Sequence, residues 1–298
     1  MTIRSLVTSI LLGAAAIGCG NDDAREVADE AKPHVITAVD TTQPRKPAKA
    51  AFRVPQESEI RDTVTLASVR RGRALFSHTR DSLPGHVRAS LTCANCHMAE
   101  GTQKDAMPLV GSYARFPQFR ARSAKVDRIE DRINDCFERS MNGRALAWNG
   151  KDMRDMVAYL AFLSIGFPVG VEMEGQGTPA LEPLPGDTVR GKAVFAASCT
   201  VCHGVDGQGT IGGPPLWGPR SYNIGAGMAR INTAARFIHH LMPRDRPGSL
   251  TPQQAFDVAT YVNTRPRPDF ARKDQDWPTG GAPPDVAYET LEAKQRLR

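Results

Sequence analysis

Two histidines, each directly following a Cys-x-x-Cys pair, carry the plainest chemistry in this chain: Cys93-Ala94-Asn95-Cys96-His97 and Cys199-Thr200-Val201-Cys202-His203. Two thiols at this spacing can add to the two vinyl groups on one porphyrin edge. The adjacent histidine is then set beneath the iron as proximal ligand. A single such pentapeptide would also suit a zinc half-site or a redox dithiol. A tetrahedral zinc site needs a second pair close by, and each motif stands alone; a thioredoxin-like dithiol needs strand context, which neither has. The two motifs therefore predict two covalently bound haem c groups, with His97 and His203 on the proximal side.

Sulfur also supplies the candidates for the opposite face of each iron. Met242 precedes Pro243 and a closing helix, the pattern by which a methionine swings its thioether onto a haem iron. His239 and His240 are its nearest competitors. In the first half Met141 occupies the matching place, but Cys136 lies five residues before it. Arg132 and Ser140 stand one helical turn before and after Cys136, on the same face. A guanidinium beside a thiol favours the thiolate, the form that binds iron. A cationic, hydroxyl-bearing face around a sulfur ligand suits a small sulfur oxyanion. Read as a buried small hydrophobe instead, Cys136 would leave Met141 as the ligand.

The elements that must hold these groups form a repeat. Gly72-Arg73-Ala74-Leu75-Phe76 precedes the first haem motif, and Gly191-Lys192-Ala193-Val194-Phe195 precedes the second. The first copy carries an insertion, residues 77–91. Each copy ends in a helix with one apolar face: Met153, Met156, Val157, Leu160 and Leu163 in the first, Ala255, Val258, Ala259 and Val262 in the second. Thr251-Pro252 gives the second of these a capped start with proline in the first turn. The expected fold is all-α, with two tandem cytochrome c-type haem-binding domains at residues 59–165 and 187–266, a Pro/Gly-rich linker at 166–186 and a polar tail at 267–298. Domains of this size have little core of their own, and a buried haem supplies the missing apolar volume.

Residues 1–18 read as a lipoprotein-like export signal: a basic start, a short apolar run, then Ala16-Ile17-Gly18 ahead of Cys19. Cys19 is the expected lipidation site, and Gly20 after it favours the outer membrane. Residues 19–58 hold no sustained hydrophobic period and read as a disordered tether, with a reach of roughly 35 Å. The expected location is the periplasmic side of the cell envelope, at the end of a lipid anchor. The formal charge of +6 arises from scattered basic residues with no aromatic interleaving, so nucleic acid is not an expected partner.

On the stretch Arg132-Ile133-Asn134, Cys136, Ser140 and Asn142-Gly143, and on Gly218 to Arg230 with Ser221 and Gly225-Ala226-Gly227-Met228, residues 69–264 resemble the dihaem thiosulfate dehydrogenases, the tetrathionate-forming cytochromes. The resemblance implies His97 and Cys136 as axial ligands of a catalytic haem, with Arg122, Arg132 and Ser140 holding thiosulfate. It implies methionine or, in some members, lysine on the second haem; no lysine lies between His203 and Met242 here. It further implies oxidation of two thiosulfates to tetrathionate, in either direction, with electrons passed through the second haem to a soluble or membrane acceptor. A related sulfur-oxidising cytochrome also uses a cysteine-ligated haem. The alternative from another class is a non-catalytic dihaem carrier serving a partner oxidoreductase, in which Cys136 is core, Met141 is a ligand and the arginines form a docking patch.

Overall fold

Helices begin where side chains can satisfy their first free N–H groups. In the computed structural model, which describes residues 48–296, Asp62 accepts from the Thr65 N–H at 2.7 Å and opens α1 (Thr63–Ser77). The short α2 (Thr79–Ser82) and α3 (Met98–Gly101) flank the first haem motif, and α4 (Ile129–Glu138) and α5 (Lys151–Phe162) complete that half. The second half repeats the plan. Asp187 caps α6 (Thr188–Ser198) by accepting from the Arg190 N–H at 2.7 Å, and α7 (Thr200–His203) carries the second haem motif. Then come α8 (Ile231–Leu241), α9 (Pro252–Asn263) and a terminal α10 (Leu291–Arg296). Thr251 and Gln254 form a reciprocal capping box at the start of α9, with Pro252 in its first turn.

In each half the first and last helices cross, and a glycine sets how closely. A Cβ on Gly72 would stand 1.9 Å from the Asp155 carbonyl oxygen, and one on Gly191 would stand 2.1 Å from that of Asp257. Backbone meets backbone at both crossings, and no side chain fits between. The same helices bury a carboxylate at each crossing. Asp155 accepts from Ser68, Arg71 and Lys151, and Asp257 from Arg190, Gln253 and the Asp187 N–H. These partners outweigh the burial that would raise the two carboxyls and hold both below their usual range. Tyr159 and Tyr261 lie one turn on from these acids, so the sequence repeat is also a repeat of packing.

The all-helical expectation holds, with one small addition. Gln118–Arg120 (β1) and Lys125–Asp127 (β2) pair as an antiparallel hairpin, Phe119 opposite Val126. Residues 50–58, expected inside the disordered tether, instead run along the first half. The Ala50 N–H donates to Glu172 O and the Glu174 N–H to Ala50 O, both at 2.8 Å, while Phe52 and Val54 pack on the core. The stretch from 267 is polar in composition, yet it crosses onto the first half. Its Phe270, Asp276 and Trp277 are buried, and Asp276 accepts two 2.7 Å bonds from the Arg139 guanidinium. Apolar residues are too sparse in this stretch to signal such docking in advance; one buried ion pair and two aromatic rings hold it. No helix among the described residues is long and apolar enough to cross a membrane. The expected signal and Cys19 lie outside the described residues.

Candidate functional site

Two cavities, of ≈ 540 Å³ and ≈ 600 Å³, open beside the two haem motifs. Both fall within the ~300–1,000 Å³ typical of cofactor-sized sites. Cys93, Cys96 and His97 line the first, and Cys199, Cys202 and His203 the second. In each, the histidine ring is oriented the same way. Nδ1–H of His97 donates to Met107 O at 2.6 Å, and Nδ1–H of His203 donates to Pro214 O at 2.7 Å. A ring that donates through Nδ1 keeps the lone pair of Nε2 for a metal. Burial lowers the His203 pKa, which keeps that ring in the neutral, ligating form. The five described cysteines are all free thiols, and both cavities are walled mainly by apolar side chains. Paired thiols on one edge, a tethered imidazole and apolar walls are the donor set a covalent haem needs, and each cavity fits one.

The candidate sixth ligands of the second site lie differently about its cavity. Met242 follows the last turn of α8 and lines the cavity wall. His239 donates through Nδ1–H to Leu250 O at 2.8 Å, and neither it nor His240 is among the side chains lining the cavity.

In the first cavity both Cys136 and Met141 line the wall, and their surroundings differ sharply. Met141 is only 4% exposed and belongs to the apolar core. Cys136 receives a bond from Arg132 Nη1 at 2.8 Å, because α4 sets residues four apart on one face. Burial by itself would raise the Cys136 thiol, but the Arg132 charge, then a hydrogen bond and charge from His97, outweigh it and bring the pKa down to about 7. Three of the haem-motif thiols behave oppositely: burial drives Cys93 and Cys96 up to about 12 and Cys199 to about 11. The low-pKa thiol of this cavity is thus Cys136, facing the His97 imidazole.

Ser140 lines the same cavity, as do Arg115, Gln118 and Arg120. The hairpin explains the last two. Alternate residues of a strand share a face, so Gln118 and Arg120 point inward while Phe119 points out and is 63% exposed. Asp127, across the hairpin, lies 3.7 Å from the Arg120 guanidinium and steadies it. Arg122 is not among the side chains lining this cavity. Its Nη1 donates to Gly225 O at 2.8 Å and its guanidinium lies 4.4 Å over the Trp277 ring. Burial, then the neighbouring Arg139 charge, lower its pKa to about 10. Of the residues expected to hold an anion, Arg132 and Ser140 come together at the cavity and Arg122 does not line it. Sequence reasoning passed over Arg115, Gln118 and Arg120; the in–out alternation of Gln118-Phe119-Arg120 was the one signal available for two of them.

Residues 72–169 match the SoxA/TsdA cytochrome c domain, and residues 188–266 match the cytochrome c family. The thiosulfate dehydrogenase of Allochromatium vinosum is 46% identical over 237 residues, covering 76% of this chain and 87% of that protein. That of Psychrobacter arcticus is 43% identical over 245 residues, covering 80% and 75%. Among solved structures, thiosulfate dehydrogenase (TsdBA) from Marichromatium purpuratum aligns with a TM-score of 0.73 at 35% identity, covering 82% of this chain; the chain spans 56% of that protein's length.

Proposed function

The chain belongs to the thiosulfate dehydrogenase family of cytochromes, and from that premise we propose that it joins two thiosulfates into tetrathionate at the Cys136 cavity and passes the electrons through the second haem site. The 2.8 Å contact from Arg132 to the Cys136 sulfur is the observation that carries this reading. A dihaem carrier with no substrate has no need of a charge-stabilised thiolate facing the proximal histidine.

The chemistry is an oxidation in which two sulfane sulfurs form one S–S bond and two electrons leave, with no net proton. Bound haem supplies the iron that takes up those electrons, one per site. The protein's part is to gather two dianions and hold their sulfurs together. Arg115, Arg120 and Arg132 make the cavity electropositive, and Ser140 adds a hydroxyl donor on the same wall. Charge repulsion between two thiosulfates opposes their approach, so a cluster of fixed guanidiniums lowers the barrier where it is highest. Cys136, favoured as a thiolate by Arg132, would hold the haem iron together with His97 and would offer a soft sulfur to substrate. Arg122 steadies this wall from behind through Gly225 rather than by touching substrate. Met242, on the wall of the second cavity, would hold the second haem, and a thioether there would supply a higher potential. A small redox protein or a membrane acceptor then collects them.

The direct test mixes oxidised holoprotein with thiosulfate, following haem absorbance and tetrathionate together. Reduction of both haems with tetrathionate formed is the expected result. If thiosulfate leaves the haems oxidised, and tetrathionate fails to oxidise the reduced protein, the proposal is rejected.

The location proposed from the sequence is the outer membrane's periplasmic face, with cleavage after Gly18 and a lipid on Cys19. Cys19→Ser should move the protein from the membrane fraction to the soluble one. Unchanged membrane retention in that variant counts against the anchor.

A further inference from the structure

Among the described residues, two side chains, Cys96 and Met228, line both cavities. Cys96 belongs to the first haem motif, so a haem attached to it would lie beside the wall of the second cavity. Met228 closes the Gly225-Ala226-Gly227-Met228 run, and the substrate chemistry assigns this side chain no part. It packs against the core of the first half, against the cluster of Met98, Ala106, Phe237 and Leu241, and against the Ala234–Phe256 cluster of the second half. Among the described residues, no other partly buried side chain packs against all three of these clusters.

The backbone that carries Met228 is clamped from both halves. Its carbonyl accepts from Asn263 Nδ2 at 3.1 Å, at the end of α9, and Asn263 Oδ1 in turn accepts from Tyr222 and Arg267. Upstream, the Asn223 N–H donates to Arg139 O at 3.2 Å and Asn223 Nδ2 donates to Glu138 O at 2.8 Å, so the same loop is pinned to α4. An unbranched, polarisable side chain on a fixed backbone suits an irregular gap between two rigid walls.

We infer that Met228 is the residue that couples the two haem sites, by filling the seam between them with packed, water-free atoms. One electron leaves one haem iron and arrives at the other; no bond and no proton moves. Tunnelling decays less steeply through packed atoms than across a gap or a fluid pocket. The rate between the sites therefore depends on the volume of this side chain, and the ligands and potentials do not. This inference needs two haem sites only, and it stands apart from which sulfur compound is the substrate.

Flash reduction of fully oxidised holoprotein by a photoexcited flavin, with no thiosulfate present, delivers single electrons, and absorbance changes then follow their redistribution between the haems. Met228→Leu conserves volume and should keep the wild-type rate. Met228→Ala should lose most of it, with both haem spectra and both midpoint potentials unchanged. If the alanine variant does not load both haems, Met228→Val, which opens a smaller gap, carries the same comparison. The inference is overturned by a wild-type rate in the shortened variants, by equal loss in Met228→Leu, or by a changed potential that accounts for the slower rate. Loss of a methionine–iron signature in Met228→Leu would also overturn it, because the residue would then be a ligand.

Discussion

Arg132 Nη1 stands 2.8 Å from the sulfur of Cys136, one turn along the same helix, and this contact separates one thiol of the first cavity from the others. Burial raises Cys93 and Cys96. It would raise Cys136 too, were the guanidinium and the His97 imidazole not there to favour the charged form. Three cysteines in one cavity are thereby divided: two suited to bond covalently to a porphyrin edge, one suited to act as a thiolate.

Replacing that thiolate tests its role. Cys136→Met should keep the fold and both haems, because a thioether can occupy the same axial position. It should abolish thiosulfate oxidation almost entirely, since neither the negative charge nor the nucleophilic sulfur survives. Arg132→Ala should weaken thiosulfate binding by about 1.5–3 kcal/mol, the contribution of a charge-assisted contact. Haem stoichiometry, visible spectra and steady-state kinetics read all of these, and full activity in Cys136→Met would reject the catalytic assignment.

Arg120 and Arg122 differ by two positions and should differ in kind. Arg120→Ala removes a charge from the cavity wall and should raise the KM for thiosulfate with little change in melting temperature. Arg122→Ala removes a Gly225 contact and a ring-stacked cation, so it should lower thermal stability as well. The converse pattern, with Arg120→Ala silent and Arg122→Ala affecting KM alone, would return Arg122 to direct substrate contact.

At the second site, Met242→Ala should erase the strongly upfield-shifted methyl resonance of an iron-bound methionine in the reduced protein. The haem itself stays attached through Cys199 and Cys202. A persisting resonance would transfer the assignment to another methionine.

The Arg139–Asp276 pair joins α4 to a segment more than a hundred residues later, and both side chains are buried. Asp276→Ala leaves the guanidinium without its carboxylate and should cost about 3–5 kcal/mol. Thermal and denaturant unfolding of the holoprotein measure this. A loss below about 1 kcal/mol, the size of an exposed pair, would show that the C-terminal segment contributes nothing to holding the first half.

What the amino-acid sequence determined alone is the part carried by short spacings. Cys-x-x-Cys-His is a local constraint, legible because both thiols and the imidazole must meet one porphyrin within five residues. The Arg132–Cys136–Ser140 face is equally local, since four residues make one helical turn. The two-domain, all-helical plan followed from a repeat of such local patterns. Tertiary structure decided whatever depends on groups distant in the chain. Nothing near Asp276 marks it as the partner of Arg139, and nothing in Gly225–Met228 announces that its last side chain borders both cavities. The sequence already set Arg132 beside Cys136, while the 2.8 Å contact and the place of Met242, but not of His239 or His240, on the second cavity wall are tertiary facts. Arg120 and Arg122 show the limit most sharply. Both are arginines, two positions apart, which a continuing strand would set on one face; only the end of β1 at Arg120 puts Arg122 in the turn between the strands and takes it off the cavity wall.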